Sequence, residues 1–130
     1  MRKAQAFALA ALLGAVSTVP AWAHHEVYAY DLDHPVVVDG VVREFVWANP
    51  HVMLYLEVSN ATAGEEEWKL EGAAVPVLVR SGWTRESLRP GDHVQVQLAP
   101  RRDTQHSGRI LRVTVSGGRV LSVGPPGRAR

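Results

Sequence analysis

The sequence predicts an all-β domain with one short helix, folded as an OB-like antiparallel five-stranded barrel. Three observations predict it. Short segments of alternating apolar and polar residues are separated by turn residues, a long first strand contains Gly40, and a helical segment lies between the third and fourth strands. A strand bent at a glycine can pair in both halves of a barrel, and closure leaves few exposed edges. A β-sandwich of similar strand count is the alternative.

The first two predicted strands flank a turn that contains proline. Residues 36–47 form a long strand interrupted by Gly40, and a glycine inside a strand usually marks a bulge or a bend. Residues 48–50 form a turn, because proline fixes its own φ and restricts the residue before it. Residues 52–58 form the second strand, and a polar hairpin loop follows it.

One short helix is predicted after the third strand. Residues 67–71 alternate, with Trp68 and Leu70 on one face of this strand and charged side chains on the other. Residues 73–81 are followed by Gly82, the residue type that commonly ends a helix. A helix between the third and fourth strands is typical of an OB-type barrel.

Three further strands are predicted in the second half of the chain, at residues 93–98, 110–115 and 119–123. A polar loop, residues 99–108, joins the first two of them. Alternation places one side of every strand in the core, although a bulge at Gly40 would change the phase of the first strand. The predicted core residues are Val37, Val41, Phe45, Leu54, Leu56, Trp68, Leu70, Val94, Val96, Leu98, Leu111 and Val113.

The N-terminus has the features of a secretory signal peptide. Arg2 and Lys3 precede an uncharged apolar run, and residues 21–23 give the small-x-small pattern of a cleavage site. A membrane-spanning helix needs about 20 apolar residues, and this run is shorter. We therefore expect cleavage after Ala23, a periplasmic or secreted protein, and no membrane span after cleavage.

The resulting organisation is a signal peptide at residues 1–23, an N-terminal arm at residues 24–34, an OB-like barrel domain at residues 35–124, and a disordered tail at residues 125–130. The sequence contains no cysteine, which excludes disulfides, thiolate metal sites and a cysteine nucleophile. Acidic residues dominate the first half of the exported chain and basic residues the second. Because the two halves interleave in a barrel and the protein is exported, no nucleic-acid binding is expected.

Four segments carry a resemblance to a known family: the pair His24 and His25, residues 47–51 (Trp-Ala-Asn-Pro-His), residues 82–84 (Gly-Trp-Thr) and residues 88–92 (Leu-Arg-Pro-Gly-Asp). In these segments the chain resembles an uncharacterised family of small secreted bacterial proteins. The resemblance implies a periplasmic location and a barrel fold, and it supplies no activity. The loop at residues 100–108 departs from the family pattern, because it lacks an Asp-Gly turn.

The predicted N-terminus of the exported chain is a candidate metal site. Cleavage after Ala23 gives His24 a free α-amine, which can bind a metal together with its ring nitrogen, and His25 adds a second imidazole. Without thiolates, such ligands favour Cu(II) over Ni(II) and Zn(II). His51 is a candidate third imidazole. The alternative is that two histidines at a flexible end bind no metal in the cell.

The loops that border the ligand face of an OB-type barrel hold a second group of candidates. The predicted ligand-binding rim consists of Trp47, Asn49, Arg101, Arg102 and His106. Such a rim suits an anionic or sugar ligand. For two members, and for the neighbouring metal candidate His51, a structural role is the alternative: Asn49 precedes a turn proline, Trp47 suits a core position, and His51 can be a structural histidine.

These features favour a non-enzymatic periplasmic binding or accessory module, with copper as the most specific candidate ligand. One alternative is an OB-like module without metal that binds a partner protein, a peptide, a glycan or another small molecule. A copper-dependent redox enzyme is the third hypothesis. No catalytic residue is assigned, because the sequence contains neither a nucleophile elbow nor acids at a defined spacing.

Overall fold

The computed structural model describes residues 28–124. The predicted signal peptide, the predicted disordered tail, and the candidate ligands His24 and His25 lie outside the described residues. The described chain forms six strands and one helix: β1 (Val36–Val46), β2 (Met53–Asn60), β3 (Gly64–Glu71), α1 (Val75–Arg80), β4 (His93–Pro100), β5 (Ser107–Val115) and β6 (Arg119–Ser122).

The strands form one sheet in the order β3-β2-β1-β4-β5-β6, and an additional pairing of β3 with β5 closes the first five strands into a barrel. The predicted fold class is confirmed, and the strand order is compatible with an OB-like barrel. The antiparallel prediction is wrong for one pair, because β3 and β5 pair in parallel over Lys69–Glu71 and Ser107–Arg109. A parallel pair needs a crossover connection, which α1 and β4 provide here.

Strand β1 pairs with β4 through Val36–Val41 and with β2 through Val41–Val46, so that it contributes to both halves of the barrel. Gly40 lies where the partner changes, and a Cβ atom at this position would come within 2.8 Å of the Glu57 carbonyl oxygen. Glycine is therefore required by the close approach of β2. The irregularity in the ladder lies a little further on, between Val42 and Glu44.

Two bulges determine which predicted core residues are buried. Arg43 is an additional residue in β1, and Val38 and Val42 face the core in place of Val37, which is 55% exposed, and half-buried Val41. In β5 a register shift opposite Gln97 and Leu98 directs Ile110 rather than Leu111 into the core. The predictions for Val37, Val41 and Leu111 are therefore wrong.

The other predicted core residues lie inside the barrel or against its core. The buried ones are Leu54, Leu56, Leu70, Val94, Val96, Leu98 and Val113, while Phe45 and Trp68 are partly buried and pack against them. Helix α1 contributes the buried side chain of Leu78 and is shorter than predicted. Between residues 28 and 124, no helix is long and apolar enough to cross a membrane.

Candidate functional site

A cleft of about 450 Å³ lies where the arm meets the β1–β2 and β4–β5 loops. We call it the arm cleft. Its lining includes Tyr30, His51, Met53, Lys69, Glu71 and Arg101. The two loops predicted to form a ligand-binding rim therefore meet here through His51 and Arg101.

Backbone hydrogen bonds join the arm to the β4–β5 loop. Tyr30 forms an isolated antiparallel bridge with Arg101. The amide of Asp31 donates to the carbonyl of Pro100 at 2.8 Å, and the amide of Arg102 donates to the carbonyl of Ala29 at 2.9 Å. These bonds do not depend on side-chain identity, so the register of the arm is set by the backbone.

The carboxylate of Glu71 connects the arm to the β1–β2 loop. The Tyr30 hydroxyl donates to Glu71 Oε2 at 2.7 Å, and His51 Nδ1 lies 2.7 Å from Glu71 Oε1. The two oxygens of one side chain thus contact two different segments. Burial raises the pKa of Tyr30 to about 12, and the hydrogen bond to Glu71 and its negative charge act in the same direction. The nearby Arg101 guanidinium partly opposes this shift.

The position of Glu71 determines what His51 can do chemically. A carboxylate beside Nδ1 favours the tautomer that carries its proton on that nitrogen, so the Nε2 lone pair is available to a ligand. The His51 side chain is about one-third exposed, which leaves it accessible from the cleft. Within residues 28–124, no group of three or more histidine, cysteine, aspartate and glutamate side chains could hold a metal ion. A metal at His51 would need ligands of another type or from another part of the chain.

The remaining predicted rim residues lie outside the arm cleft. Arg102 and His106 line a neighbouring cleft under the β4–β5 loop. The Arg102 guanidinium donates to Asp31 at 3.1 Å. The His106 ring lies 5.2 Å from the Trp68 ring, and its Nε2 lies 3.3 Å from a carboxylate oxygen of Glu66.

Trp47 and Asn49 contact the helix and the core near it. The Trp47 ring lies 5.8 Å from the ring of Phe45 and packs against the core. Asn49 Oδ1 accepts a hydrogen bond from the amide of Val75 at 3.0 Å, which satisfies one of the unpaired donors at the start of α1. The structure therefore gives both residues contacts that stabilise the fold.

Most residues of the arm cleft were not among the sequence-based candidates, and these include Tyr30, Glu71 and Met53. Tyr30 and Glu71 become neighbours only through the arm bridge and the end of β3. The sequence did contain a signal for Met53. It follows His51 by two positions, and alternate residues of an extended chain share a face.

The comparison with known families agrees with the resemblance seen in the sequence. Residues 12–110 match DUF6152, a family of unknown function. The chain belongs to this family. The match spans all the residues named as the lining of the arm cleft. No curated protein matches the chain. Membership of the DUF6152 family therefore supplies no activity, and the residues of the arm cleft are the remaining guide to function.

Proposed function

We propose that this DUF6152 protein is a non-enzymatic periplasmic binding module that holds Cu(II) at the arm cleft. The ligands are the α-amine and ring of His24, after removal of residues 1–23, together with His25 and His51. The observation that carries the proposal is the position of Tyr30. It is bound to Glu71, which in turn contacts the ring of His51.

Chain length supports this ligand set. His25 is five positions before Tyr30, and an extended chain spans about 3.3–3.6 Å per residue. The arm therefore has up to about 17 Å in which to bring His25 toward His51. A much longer link between the histidines and the barrel would instead favour an adventitious site at a flexible end of the chain.

The environment of His51 supports the choice of ligand. Histidines that bind metals usually have a carboxylate or carbonyl beside the other ring nitrogen, and Glu71 occupies that position. Tyr30 in turn fixes Glu71 through a hydrogen bond. An amine with several imidazoles and no thiolate favours Cu(II) among the common divalent metals.

The test is a Cu(II) titration of protein that begins at His24, monitored by calorimetry and by electron paramagnetic resonance. We expect one ion per chain with a Kd below the micromolar range. One extra residue before His24 converts the amine to an amide and should weaken binding by at least about tenfold. His51→Ala removes a proposed ligand and should also weaken it by at least about tenfold, since even the loss of a residue that only supports a metal ligand costs about 10–100-fold.

His93→Ala is the matched control, because His93 is exposed and lies outside the arm cleft. It should leave the Cu(II) affinity unchanged. Equal affinity of the processed and extended forms would remove the amine from the site. Micromolar or weaker binding that is insensitive to His51→Ala would reduce the histidine pair to an adventitious site and overturn the proposal.

A further inference from the structure

Met53 lies in the arm cleft beside the candidate copper ligand His51. The two residues flank Val52, which is fully buried, and therefore occupy one face of an extended segment. Met53 is directly opposite Glu71 in the β2–β3 ladder, and Glu71 contacts the His51 ring. One carboxylate thus has the histidine and the methionine as immediate neighbours.

The position of Met53 is not explained by core packing. Methionine commonly fills gaps in a hydrophobic core. Here the core face of this segment is supplied by Val52, Leu54 and Leu56, all fully buried. Met53 is half-buried and is not part of the core cluster or of the apolar side chains packed against it. Met53 is instead one of the residues that line the arm cleft.

We infer that Met53 is a thioether ligand and that the arm cleft also binds Cu(I). Thioether sulfur is a soft ligand that favours Cu(I), whereas amine and imidazole nitrogens accept either oxidation state. Met53 and His51 supply one sulfur ligand and one nitrogen ligand from the barrel. In this proposal His24 and His25 supply the remaining nitrogen ligands. This inference rests on the proposed function for His24 and His25, and it adds a residue and an oxidation state to that site.

The sequence makes Met53 a selective probe. The chain has two methionines, Met1 and Met53, so protein that begins at His24 contains only the second. Protein labelled with ¹³C at the methionine methyl group should give one resonance. We expect this resonance to shift on addition of one equivalent of Ag(I), a redox-stable analogue of Cu(I), and to stop shifting beyond one equivalent.

The affinity for Cu(I) is measured without oxygen, by competition with a coloured Cu(I) chelator. Met53→Leu keeps the volume and removes the sulfur. It should weaken Cu(I) binding by at least about tenfold and Cu(II) binding by a smaller factor, since nitrogen ligands dominate Cu(II) binding. Tyr55→Phe, which changes the next residue on the same strand face, is the matched control and should change neither affinity.

The outcomes for the two proposals differ. An unshifted methyl resonance, or equal Cu(I) affinity of wild type and Met53→Leu, overturns the role of Met53 and leaves the Cu(II) proposal intact. Micromolar or weaker Cu(II) binding that is insensitive to His51→Ala overturns the proposed function. If Ag(I) still shifts the methyl resonance in that case, Met53 binds a soft metal in the cleft without the proposed Cu(II) site.

Discussion

The β1–β2 loop contributes residues to two regions of the molecule whose contacts differ in polarity and burial. On the helix side, which consists of Phe45, Trp47, Asn49, α1 and Trp83, the contacts are mainly apolar and are centred on the fully buried side chains of Leu78 and Trp83. Trp83 is 1% exposed, and its Nε1 donates to the carbonyl of Ser122 at 2.8 Å. In the arm cleft the contacts are polar, and His51 and Glu71 are one-quarter to one-third exposed. Neighbouring residues of one sequence motif thus have separate roles: Trp47 and Asn49 stabilise the fold, while His51 is available to a ligand.

The largest expected effect is on the helix side. Trp83→Ala should lower the free energy of unfolding by about 3–5 kcal/mol, because it leaves a large cavity beside Phe45. Val79→Ala is the control, since Val79 lies on α1 but is 56% exposed. It should change stability by less than about 0.5 kcal/mol. Urea unfolding followed by far-ultraviolet circular dichroism measures both.

If Trp83→Ala does not fold, Trp83→Phe provides the same test on a smaller scale, because it removes the indole hydrogen bond to Ser122. In the folded variants the Cu(II) affinity should equal that of the wild type. Equal stability losses for the Trp83 and Val79 variants would contradict the assignment of the helix side as the stabilising region.

An intermediate effect is expected at high pH, from Tyr30 in the arm cleft. Its pKa is raised from about 10 to about 12 in the folded protein, so the contribution to stability is complete below pH 10 and is lost as the pH rises toward 12. Two pKa units correspond to about 2–3 kcal/mol. Tyr30→Phe should lack this alkaline loss, and Tyr55→Phe should keep it.

Urea unfolding at intervals between pH 8 and pH 12 measures the alkaline loss. The slope of stability against pH identifies the titrating group, because Tyr30→Phe cannot ionise at that position. If Tyr30→Phe and the wild type lose the same amount of stability at high pH, another group is responsible. Such a result would show that the Tyr30 hydroxyl in the arm does not make this contribution to stability.

The smallest expected effect compares two neighbours in the β1–β2 loop. Asn49→Ala removes the acceptor for the amide of Val75 and should lower stability by about 1 kcal/mol without changing Cu(II) affinity. His51→Ala should have the converse effect, with a loss of Cu(II) affinity and little change in stability. A loss of copper binding in Asn49→Ala would show that the two sides of the loop are coupled.

The elements of the fold could be predicted from the sequence because their signals are local. Alternation and turn residues identified every strand and the helix within a few positions. The phases of β1 and β5 could not be predicted, since the additional residues Arg43 and Leu111 are defined only by pairing with other strands. The parallel closure likewise depends on how β3 and β5 meet in space.

The candidate site, like the fold, could be predicted only in part. His51 and Arg101 could be assigned to one rim because both lie in loops that border the same face. Glu71 could not, because its role depends on the β2–β3 register and on the bridge that brings Tyr30 to it. Met53 had a sequence signal in its spacing from His51, but only the burial of Val52 shows which face the two share.

The parallel closure of the barrel also sets the order in which the cleft is assembled. Lys69 and Ser107 are 38 positions apart, and contacts between distant positions have a high entropic cost before other strands are in place. The amide of Lys69, which donates to the carbonyl of His106 at 2.9 Å, should therefore gain protection late in pulse-labelled hydrogen exchange during refolding. Since Glu71 belongs to the same closing pair of segments, a folding chain would acquire the cleft only once the barrel is complete, and a half-folded chain would lack the proposed metal site.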